Sequence, residues 1–191
     1  MKSKISVRRR RGQSGNAVLE GALILLPFFA IILGIAEFSM VMFIMGLLQE
    51  DARTAARYVT TYNMTYNGAG FSTQTSLVQQ MMIDGSLGFI NTNNVNTYLQ
   101  LNFYFPDDLT TPATAARLPH TWTDNGHPPQ TQTVQWVNAP GNVAEVRVVN
   151  FPWNWMVPMP GFMPGRSITF GAEAVDVLQG LPVGLTQPPT P

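Results

Sequence analysis

The chain has 191 residues, no cysteine, and equal numbers of acidic and basic side chains, 11 of each. Without cysteine there is no disulfide, no cysteine metal site, no thiol nucleophile and no acylated lipobox. An exported fold of this composition must rest on core packing or on assembly with partners. The neutral sum hides an asymmetry. Lys2, Lys4, Arg8, Arg9, Arg10 and Arg11 crowd the start with no acid among them, whereas the part from Glu50 onward carries roughly twice as many acids as bases.

Across residues 21–48 the only charge is Glu37. A bilayer core takes about 20 helical residues, so a span that starts near Ala17 ends near Ala36. Glu37 is then expected at the outer interface, as an anchor within reach of water. The apolar run continues through Phe38, Met40, Val41, Phe43, Ile44, Leu47 and Leu48. That excess is expected to tilt or to pack on protein outside the lipid. The positive leader stays on the cytoplasmic side, which places the C-terminal part outside. A secretory signal cut near Gly34-Ile35-Ala36 fits less well, because the apolar run does not stop there. A twin-arginine signal lacks the phenylalanine and leucine after residues 8–11. Beside a span, a basic run is topogenic, and no nucleic-acid partner is expected.

The junction reads Arg11-Gly12-Gln13-Ser14-Gly15-Asn16-Ala17-Val18-Leu19-Glu20. A carboxylate so near the start of a membrane helix is costly unless paired. Cleavage after Gly15 would create a positive amine at Asn16. Glu20 of one subunit would then meet the amine of a neighbour in a bundle of parallel helices, fixing axial register more than adding stability. Pro27 removes one backbone hydrogen bond and should bend or loosen the helix near Leu23. Ala30 and Gly34 form a small-xxx-small pair that admits a neighbouring helix closely.

Gly15 and Glu20 resemble the cleavage glycine and fifth mature glutamate of type IV-like pilins, with Asn16 where many such proteins have phenylalanine. The ordered set Gly15-Asn16-Ala17-Val18-Leu19-Glu20, Leu25-Leu26-Pro27, Gly34-Ile35-Ala36-Glu37-Phe38 and Ala52-Arg53-Thr54-Ala55-Ala56-Arg57-Tyr58-Val59 is similar to the TadE-like family of the tight-adherence (Flp) pilus system. The resemblance covers about residues 12–60. It implies a pilin-like minor subunit (a pseudopilin) of the bacterial inner membrane. Such a protein passes the membrane once, with its N-terminus cytoplasmic and its C-terminus extracytoplasmic. It further implies processing by a prepilin peptidase and assembly with other pilin and minor pilin subunits in pilus formation, adhesion or secretion. The alternative is an uncleaved bitopic protein with an exported binding domain.

Beyond the span, residues 49–62 continue the helix as a stalk, with Ala52, Ala55, Ala56 and Val59 at helical spacing. Residues 63–75 form a polar break. Leu77, Val78, Met81, Met82 and Leu87 suggest a short amphipathic helix. In residues 98–105, Leu99, Leu101, Phe103 and Phe105 share one face with Gln100 and Asn102 opposite, the pattern of a half-buried strand. Residues 107–130 read as a long loop. Residues 131–137 and 142–151 read as strands of a hairpin around Ala139-Pro140-Gly141. Residues 167–178 read as a further strand with Ile168, Phe170, Ala172 and Ala174 on one face. Residues 180–191 read as a disordered, proline-rich tail.

The fold class is therefore α+β: a long transmembrane helix continuing as a stalk, then a small antiparallel sheet head with a short helix. The segments are a basic leader (1–15), the helix (16–62), the exported head (63–179) and the tail (180–191). The apolar stretch that contains Trp153, Trp155, Met156 and Phe162 is the candidate partner contact if exposed, or else a buried loop over the sheet. No enzyme, cofactor or metal site is expected. His120 and His127 lack helical ligand spacing, Asp124 between them is an ordinary loop residue, and no nucleophile elbow or phosphate loop occurs.

Overall fold

The structure is a computed structural model that describes residues 14–124, 126, 128–155 and 167–191, with side chains in α1 from Val18 onward. It contains two compact units, Met1–Met40 with Trp155–Arg166, and Val41–Asn154 with Ser167–Pro191.

Helix α1 runs Ser14–Thr60 without interruption at Pro27, about 70 Å at 1.5 Å per residue. Its two stretches differ in what surrounds them. Leu19, Leu25 and Ile31 are exposed on three different sides of the first stretch. In the second, Val41, Ile44, Leu48, Ala52, Ala55 and Val59 form a buried stripe spaced three and four apart, which keeps them on one helix face. These residues are core of the second unit, so this part of the helix is not a free stalk. The helix ends in a Schellman-type turn. Tyr62 takes φ 54°, its N–H donates to Val59 O at 3.2 Å, and Asn63 N–H donates to Tyr58 O at 3.0 Å. A tyrosine in this conformation is strained relative to glycine. Here its ring is buried and its hydroxyl donates to Asn138 O at 2.8 Å.

The polar break holds a two-stranded hairpin, β1 Thr65–Tyr66 and β2 Ala69–Gly70. Asn67 and Gly68 both take positive φ, 49° and 79°, the arrangement that Asn-Gly favours in tight hairpin turns. Helix α2, Gln74–Gly85, starts where the Thr73 hydroxyl accepts from Ser76 N–H at 3.1 Å. It buries Leu77, Val78, Met81 and Met82. Leu87 lies beyond its end and is exposed. A short helix α3, Val95–Tyr98, leads into β3, Leu99–Tyr104.

The main sheet has the order β3-β6-β7 and is antiparallel throughout, with β6 Val143–Asn154 and β7 Ser167–Val177. Phe103, Ala144, Val146, Val148, Ala172 and Ala174 are buried and share one face of it, as alternation requires. A bulge between Val148 and Phe151 shifts the register by one residue. Asn150 sits in it at φ 51°. Gly171 lies opposite, where any Cβ would overlap the Val148 carbonyl, so only glycine fits. Past the bulge Phe151 and Trp153 remain on the buried side.

Two expectations are corrected here. Residues 131–137 and 142–151 do not pair as a hairpin. Instead β5, Thr131–Val134, pairs with β4, His120–Thr123, inside the expected loop. Phe105, Val134 and Ala139 form a small second core there, flanked by Leu118 and Trp122. The tail is also not disordered. Pro188 is buried, Thr190 O accepts from Gln74 N–H at 2.9 Å, and Pro189 O accepts from Asn138 Nδ2 at 2.6 Å.

Gln74 and Asn138, both buried, link these parts. Gln74 Nε2 donates to Val59 O at 3.1 Å and Gln74 Oε1 accepts from Asn138 Nδ2 at 2.7 Å. Gln74→Leu would leave the Val59 carbonyl and the Asn138 amide underbonded, an expected loss of about 2–4 kcal/mol. Amide exchange on the full chain in micelles should show weaker protection across the head, and protection equal to wild type would show that the network adds nothing.

Asp51 abuts the end of α2, since a Cβ on Gly85 would overlap its carboxylate. Burial, with Glu50 nearby adding repulsion, raises the Asp51 pKa to about 6. The folded state therefore holds the proton more tightly than the unfolded chain, and stability falls as pH rises from about 4 through 6. Asp51→Asn should stabilise the head above that window by about 1 kcal/mol, after discounting the shift for solvent screening. The gain should vanish below pH 4 in a pH series of exchange measurements.

Candidate functional site

The candidate site is the first stretch of α1. Gly15 and Asn16 lie in its first turn. Glu20 follows one turn further on and is exposed. Around it Val18, Leu19, Leu23 and Ile24 are also exposed, so Glu20 sits at the base of an apolar helix surface. This helix is long and apolar enough to cross a membrane, with an 18-residue window of mean hydropathy 2.5, none of it buried within the molecule. A span needs about 20 residues, and burial of the stripe from Val41 onward uses the rest as protein core.

Pro27, Ala30 and Gly34 lie on one helix face and line a shallow apolar groove with Ile31, Ile35, Phe38 and Ser39. Three features make the groove. Pro27 withdraws an N–H from the helix ladder. Ala30 and Gly34 supply little side-chain volume four residues apart. Ser39 is kept from projecting, because its hydroxyl donates to Ile35 O at 2.7 Å. Glu37 does not line this groove. It is buried, at 4% exposure, which corrects its expected place as a water-reaching interfacial anchor. Position along the span fixes depth, whereas burial depends on what packs around the helix.

The other candidates are placed elsewhere. Trp153 is a core residue at the end of β6, 9% exposed, and does not present a free contact surface. Trp155 is half-buried. The indole nitrogens of both are buried without an acceptor among the described residues. Met156 and Phe162 lie outside the described residues. His120 is on β4, with Nε2 2.8 Å from Asp107 Oδ1 and its ring stacked on Phe105 at 3.8 Å. Asp124 Oδ1 accepts from Gly126 N–H and Gln130 N–H, which closes the β4–β5 turn. His127 lies outside the described residues.

Two polar clusters of the head carry no signal legible in the sequence. The Glu145 carboxylate is buried and accepts from Asn102 Nδ2 at 2.8 Å and Tyr104 Oη at 2.9 Å. Burial first, and then this hydrogen bond, raise the Tyr104 pKa. Asp108 is held well below the usual carboxylate range by the Thr110 hydroxyl and N–H, with the Arg117 guanidinium adding to them. Arg117 Nη2 lies 2.8 Å from Asp108 Oδ2 and its guanidinium sits over the Phe105 ring at 4.9 Å. Gln49 is a further residue missed by periodicity. It bonds the main chain of Glu173, across 124 positions of sequence.

No curated protein and no solved structure matches the chain. Residues 15–57 match the family model of the TadE-like protein. The match starts at the glycine before Asn16 and ends in the last turn of α1. It spans Glu20, the groove and the buried stripe as far as Ala55, and leaves out the sheets. Over this helix the chain is similar to the TadE-like protein family.

Proposed function

We propose that the chain is a minor, pilin-like subunit of a tight-adherence (Flp, type IVb-like) pilus. A prepilin peptidase cuts it after Gly15. It then stands in the bacterial inner membrane with its N-terminus cytoplasmic and its head outside, and acts with other pilin and minor pilin subunits in pilus assembly or adhesion. Its role is structural and not enzymatic. The observation that carries this reading is the family match over residues 15–57, which covers Gly15, Asn16 and Glu20 in their pilin-like order.

The geometry of α1 supports the reading physically. An exposed carboxylate at the start of an apolar helix is costly in lipid until a positive partner meets it. The amine created at Asn16 of a neighbouring subunit is such a partner. The groove at Pro27, Ala30 and Gly34 lets a second helix approach closely, and packing there would hold the two helices at the register the charge pair selects.

The decisive experiment is intact mass and N-terminal sequencing of the protein from membranes of its native host. A chain starting at Asn16 is expected, and Gly15→Lys should abolish that product. A wild-type chain starting at Met1 would reject processing and favour a permanent bitopic anchor. Glu20→Ala should insert normally, yet lower pilus number about tenfold or more, the loss that goes with about 1.4 kcal/mol or more of assembly free energy. Normal piliation in that variant would reject the pairing role.

A further inference from the structure

Among the described residues β7 is an edge strand, since the sheet order ends on it. Its length, Ser167–Val177, is unusual for an edge without proline or lysine, because such edges invite pairing with another chain. The direction of its outer groups follows from its partners. Thr169 lies opposite Pro152, which has no N–H, so this is a non-hydrogen-bonded pair and the Thr169 main chain faces outward. By alternation Gly171, Glu173, Val175 and Val177 face outward too.

Part of this edge is already occupied. The Gln49 side-chain amide acts as a one-residue strand against Glu173. Its Nε2 donates to Glu173 O at 2.5 Å and its Oε1 accepts from Glu173 N–H at 3.4 Å. Val177 N–H donates to Asp176 Oδ1 at 2.8 Å. Thr169 and Gly171 have no such partner among the described residues. Beside them lies a solvent-open hollow of about 590 Å³, lined by Gln49, Gln100, Arg147, Asn150, Thr169 and Glu173 with bare Gly171 in its floor.

We propose that the Thr169–Gly171 edge is a strand-addition site for an extended segment of another polypeptide, with an aromatic side chain opposite Gly171. An added strand would complete the outward N–H and C=O groups, as strand addition does elsewhere. Its side chain opposite Gly171 would lie on the outer face and enter the hollow. An aromatic ring there covers the glycine that has no side chain of its own and stacks on the Arg147 guanidinium. A tyrosine hydroxyl would also reach the amides of Gln100 or Asn150. A second copy of the chain fits poorly. Symmetric pairing about Gly171 sets each Thr169 against the other copy's Glu173, whose outward groups Gln49 already takes. The inference stands whether or not the leader is cut.

The test uses the full chain in micelles and the peptide acetyl-Lys-Thr-Val-Tyr-Val-Thr-Lys-amide, read by amide exchange. In the free protein, Thr169 and Gly171 N–H should exchange fast and Glu173 N–H slowly. The peptide should slow Thr169 and Gly171 and leave Glu173 unchanged. Its alanine-for-tyrosine version should bind about five- to tenfold more weakly. Thr169→Pro removes an outward N–H and should abolish binding while Ala172 and Ala174 stay protected by β6. If that variant unfolds, a peptide N-methylated on the pairing edge replaces it and should not bind. No protection by the peptide, equal binding of the alanine version, or binding undiminished by the proline or the N-methyl groups would overturn the proposal. So would protection that appears without peptide as protein concentration rises, which would make a second copy the occupant.

Discussion

Burial of the stripe Val41, Ile44, Leu48, Ala52, Ala55 and Val59 holds the head together. Each large apolar side chain in it contributes about 1.5–3 kcal/mol on leaving water, and all six are at most 4% exposed. The small alanines matter as much as the large residues, because their low volume lets neighbouring elements come close to the helix axis. Gln49 then reaches the β7 main chain, and Gly85 of α2 meets the Asp51 carboxylate. The Asp51 contact has an energetic cost, since burial raises its pKa. The helix is thus part of the main core of the head, beside the small second core at Phe105, Val134 and Ala139. From Val41 onward the helix and the sheet belong to one compact unit.

The amide network extends that constraint to the chain end. A buried carboxamide is costly unless every polar group on it is satisfied. Gln74 meets this demand by bridging the last turn of α1, the loop at Asn138 and, through its own N–H, the C-terminal tail. Tyr62 adds a fourth tie at the helix terminus. These bonds join residues that no local pattern connects, and they explain why a proline-rich tail is held at all. Composition reports how much apolar surface a segment can bury, but not whether a buried amide elsewhere needs its carbonyls.

What was legible in the sequence follows the same division. Helix α1, its stripe, α2 and the alternating faces of β3 and β7 are periodic, and periodicity is local. The long apolar stretch of α1 was legible from composition in the same local way. The β1–β2 hairpin was missed although Asn67-Gly68 is a strong turn signal, because the surrounding polar residues masked two short strands. Strand β4 was missed because four residues, two of them half-buried, carry little alternation. The partner of β5 was misassigned because β4, the strand it pairs with, was itself missed. Burial of Glu37 and of Trp153 depends on the tertiary surroundings. The Gln49 contact with Glu173 joins positions too distant for any sequence window.

One face of the helix remains to be accounted for within the head itself. Val41, Ile44 and Leu48 turn into the core, while Met42, Phe43 and Met45 on the same turns stay exposed, at 55%, 53% and 37%. A helix core to protein on one side and bare on the other has only two environments that avoid wetting this apolar surface. They are the outer layer of a bilayer and the surface of another apolar helix. The first polar residues on the helix after this patch are Gln49, Glu50 and Asp51. Two of these three make contacts within the head, and Glu50 is exposed. The exposed face of the helix therefore switches from apolar to polar at Gln49. The burial of Val41 marks where the head begins. The head thus starts about two turns before the exposed face of the helix turns polar.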